Sequence, residues 1–483
     1  MSDLDGIVNI TITGAAPQVS EPGFGTPMIV TGNVPGGVTA SVTTYTAASQ
    51  MTTDGYGASH PAFLKAQVMF SQTPPVARVK VAARHHVITQ VVHLTPADPA
   101  TVNGLIYSVL IDGLLATITT SGGHNTLAEV CTDLATAINA LAGAPVTADG
   151  TSGTHVVCTG AAGVLHSYAF VASITGTIQQ AIKIFDATTD AGGSNGLNDD
   201  LTRIDLADGD WYFLLLDSDD IAGVNVARAY MAARGFGEFC TQTADTGNAS
   251  TGSVLDPAST TDFLYLLKHS TPVARVWAGY TPGILTSMFA AGMVGSRATS
   301  LPGSDTWWGK TLAGVTAYAL SPSAKAAVCG TSTAPTSGKN GNVYMTVAGI
   351  DIVQNGMMSN GDWADAVRGI DWLKQQLQLA VFLLLIANGG KVPYTDAGGD
   401  LIGGAIRSVL KAGIKVGLLN PGAPKGVDGN GTPYPAIPAP SVYVPPVASV
   451  PVGTRATRNF PGFTFAAQGA GAIQGVSIVG GVS

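Results

Sequence analysis

Four groups of residues in this 483-residue sequence have types and spacings that could do chemistry. Gly192-Gly-Ser-Asn-Gly196 has the spacing of a nucleophile elbow, in which a sharp strand-to-helix turn presents a serine hydroxyl. It lies within Asp190–Asp200, a stretch so rich in Gly, Asn and Asp that composition predicts a plain loop. Gly303-Ser-Asp-Thr-Trp-Trp-Gly-Lys-Thr311 approaches a phosphate loop, but five residues separate its glycines where four are needed, and two of them are tryptophans. His85-His86 offers two imidazoles with no Asp, Glu or Cys at ligand spacing beside them. Asp205, Asp208, Asp210, Asp217, Asp219 and Asp220 flank a strand at both ends, where carboxylates cap turns and helix starts, with calcium the competing use. The expectation is no catalytic residue, no cofactor and no bound metal, and therefore not an enzyme.

Composition explains why the chemistry is sparse. Only 11% of residues are charged, 61 are glycine, and the mean hydropathy is +0.29. An ordinary soluble domain carries roughly a quarter charged residues. So little charge implies that neighbours cover much of the surface, and so long a chain can bury several cores. The formal charge of −8 and the lack of a basic run argue against direct nucleic-acid binding. Cys131, Cys158, Cys240 and Cys329 are scattered, which fits buried free thiols in a reducing cytoplasm. Met1–Asp5 lacks the basic and apolar regions of a secretion signal. The longest uncharged apolar stretch, Gln375–Gly390, falls short of the roughly 18–20 residues that span a bilayer, so no membrane insertion is expected.

The elements read as an α/β (α+β) multidomain chain. Val8, Ile10 and Ile12 alternate with polar residues as in a half-buried strand, and the prolines that follow make residues 1–27 a movable arm. From residue 28 to 85 the pattern is strand (Met28–Thr31), helix (Ala62–Phe70), strand (Val76–Val81). Residues 86–196 change to short β segments such as Leu105–Ile111 and His155–Thr159, which predicts an inserted β-rich domain. Its one helix opens with the capping box Thr126-Leu-Ala-Glu129 and presents Leu127, Val130, Cys131, Leu134, Ile138 and Leu141 on one face. Trp211–Asp217 is apolar enough for a central strand. Helix and strand then alternate, with Ile221–Gly235, Phe263–His269 and Pro272–Trp277 as examples, through an α/β core spanning 197–460. A long helix is expected after the cap residue Asp362, with Trp363, Val367, Ile370, Leu373, Leu377, Val381 and Leu384 on its face. Its second half is apolar all round, which predicts burial on every side. Residues 461–483 close with a strand-like Ala472–Val479, a second arm carrying Val476 and Ile478.

One charge pattern stands apart. Arg407, Lys411 and Lys415 are spaced four residues apart, so a helix from Leu401 would carry them as one basic stripe. The stripe is either a solvated face or a contact for an acidic partner.

The order of Lys310-Thr-Leu-Ala-Gly-Val315, Asn342-Val-Tyr344, Gly349-Ile-Asp-Ile-Val-Gln-Asn-Gly-Met-Met-Ser-Asn-Gly361, Asp371-Trp-Leu373, Lys391-Val-Pro-Tyr-Thr-Asp-Ala-Gly-Gly399 and Gly462-Phe-Thr-Phe465 resembles contractile bacteriophage tail sheath proteins. The resemblance covers about Thr306 to the C-terminus. It implies a sheath-like core with an outward-facing inserted domain, and subunits polymerised as hexameric rings stacked around an inner tail tube. The terminal arms, through Val8, Ile10, Ile12, Val476 and Ile478, would add strands to neighbouring copies. Arg407, Lys411 and Lys415 would face the tube protein. Baseplate and tail terminator proteins would be further partners, the virion the location, and the host cytoplasm the place of assembly. Another virion role, in the baseplate or in receptor binding, and a self-assembling surface layer are the alternatives, along with a secreted hydrolase.

Overall fold

The computed structural model describes residues 24–32, 34–35, 41–86, 88–171, 173–174, 177–178, 182–186, 189–190, 193–217, 220–244, 252–271, 275–282, 288–300, 305–387, 391–421 and 441–474. An eight-stranded sheet forms the centre. Its strands in chain order are β1 (Pro27–Thr31), β2 (Val42–Tyr45), β3 (Val79–Ala83), β4 (Phe213–Leu216), β5 (Glu238–Thr243), β6 (Val276–Tyr280), β7 (Asn342–Val347) and β8 (Ile350–Gln354). Across the sheet they run β8-β7-β6-β5-β4-β1-β3-β2. The six strands from β7 to β3 pair in parallel, and β8 and β2 close the edges antiparallel. Parallel strands need crossover connections, and these bring helices onto both faces.

Two apolar cores follow from strand alternation. Ile29, Phe213, Leu215, Trp277 and Tyr344 face one layer, packed by Phe63, Ala66 and Met69 of helix α1 (Pro61–Phe70). Met28, Val30, Leu214, Leu216, Phe239 and Val276 face the other. β4 is buried along its whole length, which explains why Trp211–Asp217 reads as a continuous apolar run.

Residues 91–186 build a separate core. A four-stranded antiparallel sheet orders Ile182–Asp186, Val91–Pro96, Val156–Gly160 and Val146–Asp149. A three-stranded sheet orders Tyr168–Phe170, Ile106–Ile111 and Leu114–Thr119. Helix α2 (Leu127–Asn139) packs Val130, Cys131, Leu134 and Ile138 against these sheets, and its Thr126/Glu129 capping box is present in full. All four cysteines are buried and free, and burial pushes the thiols up, to about 11 at Cys131 and about 12 at Cys158 and Cys329.

Asp190–Asp200 does not form the loop that its composition predicts. Helix α3 (Gly193–Ala207) starts inside it. Leu197, Leu201 and Ile204 recur at helical spacing and are buried in the second core, against Val224, Ala227 and Met231 of helix α4 (Ile221–Arg234). That burial outweighs the weak helix preference of Gly, Asn and Asp. Helix α5 (Met288–Ala298) packs on the first face.

Helix α6 (Ala364–Ala387) and helix α7 (Asp396–Lys415) form an antiparallel hairpin with its own core of Leu373, Leu377, Val381, Ile406 and Leu410. α6 starts later than expected: Trp363 makes a β-bridge with Met357, and the Asp362 carboxylate accepts from Asn360 Nδ2 at 2.6 Å. Nor is its second half enclosed on every side. Leu379, Leu383 and Ile386 are 39%, 47% and 58% exposed, because α7 covers only one flank. The short strands Leu419–Asn420, Ser441–Tyr443, Thr464–Ala466 and Gln468–Gly469 pair within the chain beside this hairpin.

Candidate functional site

Several of the described residues that could do chemistry make structural contacts. Ser194 of the elbow motif lies inside α3, and Gly192 lies outside the described residues. Trp307 of the loop resembling a phosphate site is a buried core side chain, with ring centroids 5.9 Å from Trp277 and 6.2 Å from Phe213. His86 Nδ1 stands 3.0 Å from Asp200, whose carboxylate also takes Arg84 Nε at 2.9 Å and the His85 amide at 3.0 Å. The aspartates around β4 are divided among cations and a cap. Lys80 Nζ lies 2.7 Å from Asp208, Arg78 3.1 Å from Asp210 and Arg234 3.1 Å from Asp205. Lys65 Nζ is 3.6 Å from Asp217, and Asp220 accepts from the Gly223 amide to cap α4. Asp219 lies outside the described residues. Among the described residues no group of three His, Cys, Asp or Glu could hold a metal ion, and no helix is long and apolar enough to cross a membrane.

Of the residues expected in the arms, Val8, Ile10, Ile12, Val476 and Ile478 all lie outside the described residues. The basic stripe lies within them, on α7. Thr395 caps this helix, and Ile406, Leu410, Gly403 and Gly413 turn inward while Lys411 and Lys415 stand exposed. Arg407 is half-buried. A Cβ at Gly403 would approach Val444 Cγ2 to 2.5 Å, so only glycine lets the segment after Ser441–Tyr443 lie this close to the helix. Lys415 sits in the last turn, where the helix dipole favours a cation. Spacing alone therefore located one flank of α7 from which positive charge projects.

Sequence reasoning missed a buried charged cluster at the root of α6. Asp371 accepts from Arg275 Nη1 at 2.6 Å and Nη2 at 3.0 Å, from the Tyr212 hydroxyl at 3.0 Å and from the Gly237 amide at 3.3 Å. Arg368, one turn earlier, lies over the rings of Phe24, Phe213 and Tyr212 at 5.1, 5.5 and 6.0 Å and donates to Ser300 Oγ at 2.8 Å. Gly237 has φ +88° and meets the Tyr212 carbonyl where a Cβ would stand, which fixes this approach of strand to helix. The available signal was the run Arg368, Asp371, Lys374, Gln378, a polar face at helical spacing on a helix otherwise rich in leucine; all four are buried. The cluster joins the sheet, the residues leading into β1 and the C-terminal hairpin.

Comparison with known proteins bears on this hairpin. Residues 364–481 match the family model described as E217 tail sheath protein gp31-like, C-terminal domain. No curated protein matches the chain. A chain of the cryo-EM structure of the anti-feeding prophage (AFP) baseplate, 6-fold symmetrised, is similar over 60% of this chain and 72% of that chain, at 13% identity and a TM-score of 0.39. The matched family model begins where α6 begins and takes in α7 with its basic stripe and the small strands beside it. Over residues 364–481 the resemblance to contractile tail sheath proteins read from the sequence is thus borne out, and this part of the chain is sheath-like.

Proposed function

We propose that the chain is a structural subunit of a contractile phage tail sheath, and the match of residues 364–481 to a tail sheath C-terminal domain is the observation that carries the reading. Copies polymerise as hexameric rings stacked around an inner tail tube, and contraction drives the tube through the host envelope. The work comes from a difference between two packings of one chain, so no cofactor, nucleotide or catalytic step is required. Assembly takes place in the host cytoplasm, and the product is part of the virion. Baseplate and terminator proteins meet the ends of the cylinder. The alternating residues Val8, Ile10, Ile12, Val476 and Ile478 add strands to neighbouring copies, so that subunits rotate yet stay connected. The low charge fraction supports a surface that is largely covered in use.

Negative-stain microscopy of the purified chain, with and without its cognate tube protein, tests this. Hollow helical cylinders are expected. Deleting residues through Thr13, or truncating after Ala470, should leave folded monomers that no longer polymerise, since every described core residue is retained. Intact cylinders from both truncations would overturn the strand-exchange mechanism, and dispersed particles under all conditions would point to a baseplate or surface-layer role.

The exposed Lys411 and Lys415 face an acidic tube in this reading. Replacing both with Glu is expected to weaken tube binding by roughly tenfold or more at low salt, an effect that shrinks as salt rises. Sedimentation with preformed tubes measures it, and unchanged binding would remove the stripe from the interface.

A further inference from the structure

The cluster at the root of α6 holds one carboxyl whose hydrogen bonds do not close if it is ionised. Glu238, the first residue of β5, is fully buried. Its Oε1 lies 3.4 Å from the Tyr212 hydroxyl oxygen, and its Oε2 has no hydrogen-bond partner among the described residues. A phenol has a single proton to donate. That proton goes to Asp371, at the shorter distance of 3.0 Å and paired through both of its oxygens with Arg275. The Glu238 oxygen and the phenolic oxygen are then satisfied together only if Glu238 carries a proton of its own and donates it to Tyr212. Charged and titratable groups face it from the elements packed around it: Tyr212 before β4, Arg275 before β6, Arg368 and Asp371 on α6, and the Cys240 thiol on its own strand. Burial pushes the Glu238 carboxyl up to about 8, with Asp371 adding to the rise and Arg368, Arg275 and the Tyr212 contact opposing it.

We infer that Glu238 is a buried proton switch at the joint between the central sheet and the C-terminal hairpin. Neutral, it completes the Tyr212–Asp371–Arg275 network that seats α6. When its proton leaves to solvent, a second carboxylate faces Asp371 and competes with it for Arg275 and Arg368, and the first turns of α6 lose their fixed partners. The joint is therefore tight at neutral and acidic pH and loosens in alkali. This inference concerns the folded chain alone and does not rest on the sheath reading.

The direction of the pH effect follows from proton linkage. The folded chain keeps this proton to about pH 8, whereas an unfolded glutamate releases it near its ordinary 4.5. The contribution of Glu238 to stability is fully present below 4.5, declines as pH rises towards 8 and is lost above it. The test compares the full chain with Glu238→Gln, whose amide donates to Tyr212 as the protonated acid does but cannot ionise. Thermal unfolding midpoints should coincide near pH 5 and separate by several degrees near pH 9, with the variant higher. Amide exchange in residues 364–374, corrected for intrinsic rates, should quicken above pH 8 in the wild type alone. Parallel pH profiles for the two proteins would overturn the switch. If the variant fails to fold, the infrared carbonyl stretch of a buried protonated carboxyl in the wild type decides: the band is expected at about pH 6 and gone by about pH 9, and its absence at about pH 6 refutes the proposal.

Discussion

Asp371→Ala is expected to destabilise the protein by about 3–5 kcal/mol, the cost of removing one partner from a buried ion pair. The carboxylate takes both prongs of Arg275, the Tyr212 hydroxyl and the Gly237 amide, so its loss strands a buried guanidinium together with two neutral donors. Part of the cost is recoverable. With Asp371 gone, Glu238 is the remaining carboxyl in the cluster, and ionising it gives Arg275 and Arg368 a counter-charge. Asp371→Ala combined with Glu238→Gln should therefore cost more than the sum of the two single changes, and the excess measures the coupling. Urea denaturation of the wild type, both single variants and the double variant supplies the cycle. Simple additivity would show that the two carboxyls act independently.

Trp307→Ala is expected to lose about 3–5 kcal/mol, the range for removing the largest side chain from a close-packed core. Trp307 is fully buried, with Trp277 and Phe213 beside it, and Gly356 packs against its backbone and Cβ. Trp307→Phe should retain more than half of the lost stability, because it leaves a smaller cavity. Loss of the near-ultraviolet signal of the aromatic cluster, together with a lower urea midpoint, checks the prediction. A neutral Ala variant would mean that the indole is dispensable to the core and would reopen a ligand-facing role for the Gly303–Thr311 segment.

The sequence made legible whatever depends on local periodicity. β4 announced itself as an apolar run, α2 by its capping box and α7 by charges four residues apart. Composition misled at Asp190–Asp200, where Leu197, with Leu201 and Ile204 just beyond at helical spacing, decides the fold against eight glycines, asparagines and aspartates. The second half of α6 misled in the opposite way. Its leucines run all round the helix, yet one flank faces outward in the single chain. An apolar flank is readable from sequence, but what covers it is not. The Glu238 cluster was out of reach for a different reason: Tyr212, Glu238, Arg275 and Asp371 meet only through the register of β4, β5 and β6 and the placement of α6. Only Asp371 belongs to a pattern readable in its own stretch of sequence, the polar run along α6; the meaning of the other three lies in being adjacent to it. As for the candidate site, spacing placed Arg407, Lys411 and Lys415 on one helix flank, while the inward turn of Arg407 depends on packing.

The place of β1 in the sheet has a mechanical consequence. The strand next to the N-terminal segment is an interior one, bonded to β3 on one side and β4 on the other along most of its length. A tensile load arriving through Phe24 and directed along the strand puts both ladders into shear, so their bonds resist together instead of parting one after another as at a peeled edge. The residues leading into β1 are in effect anchored inside the sheet, where axial force is shared between two ladders.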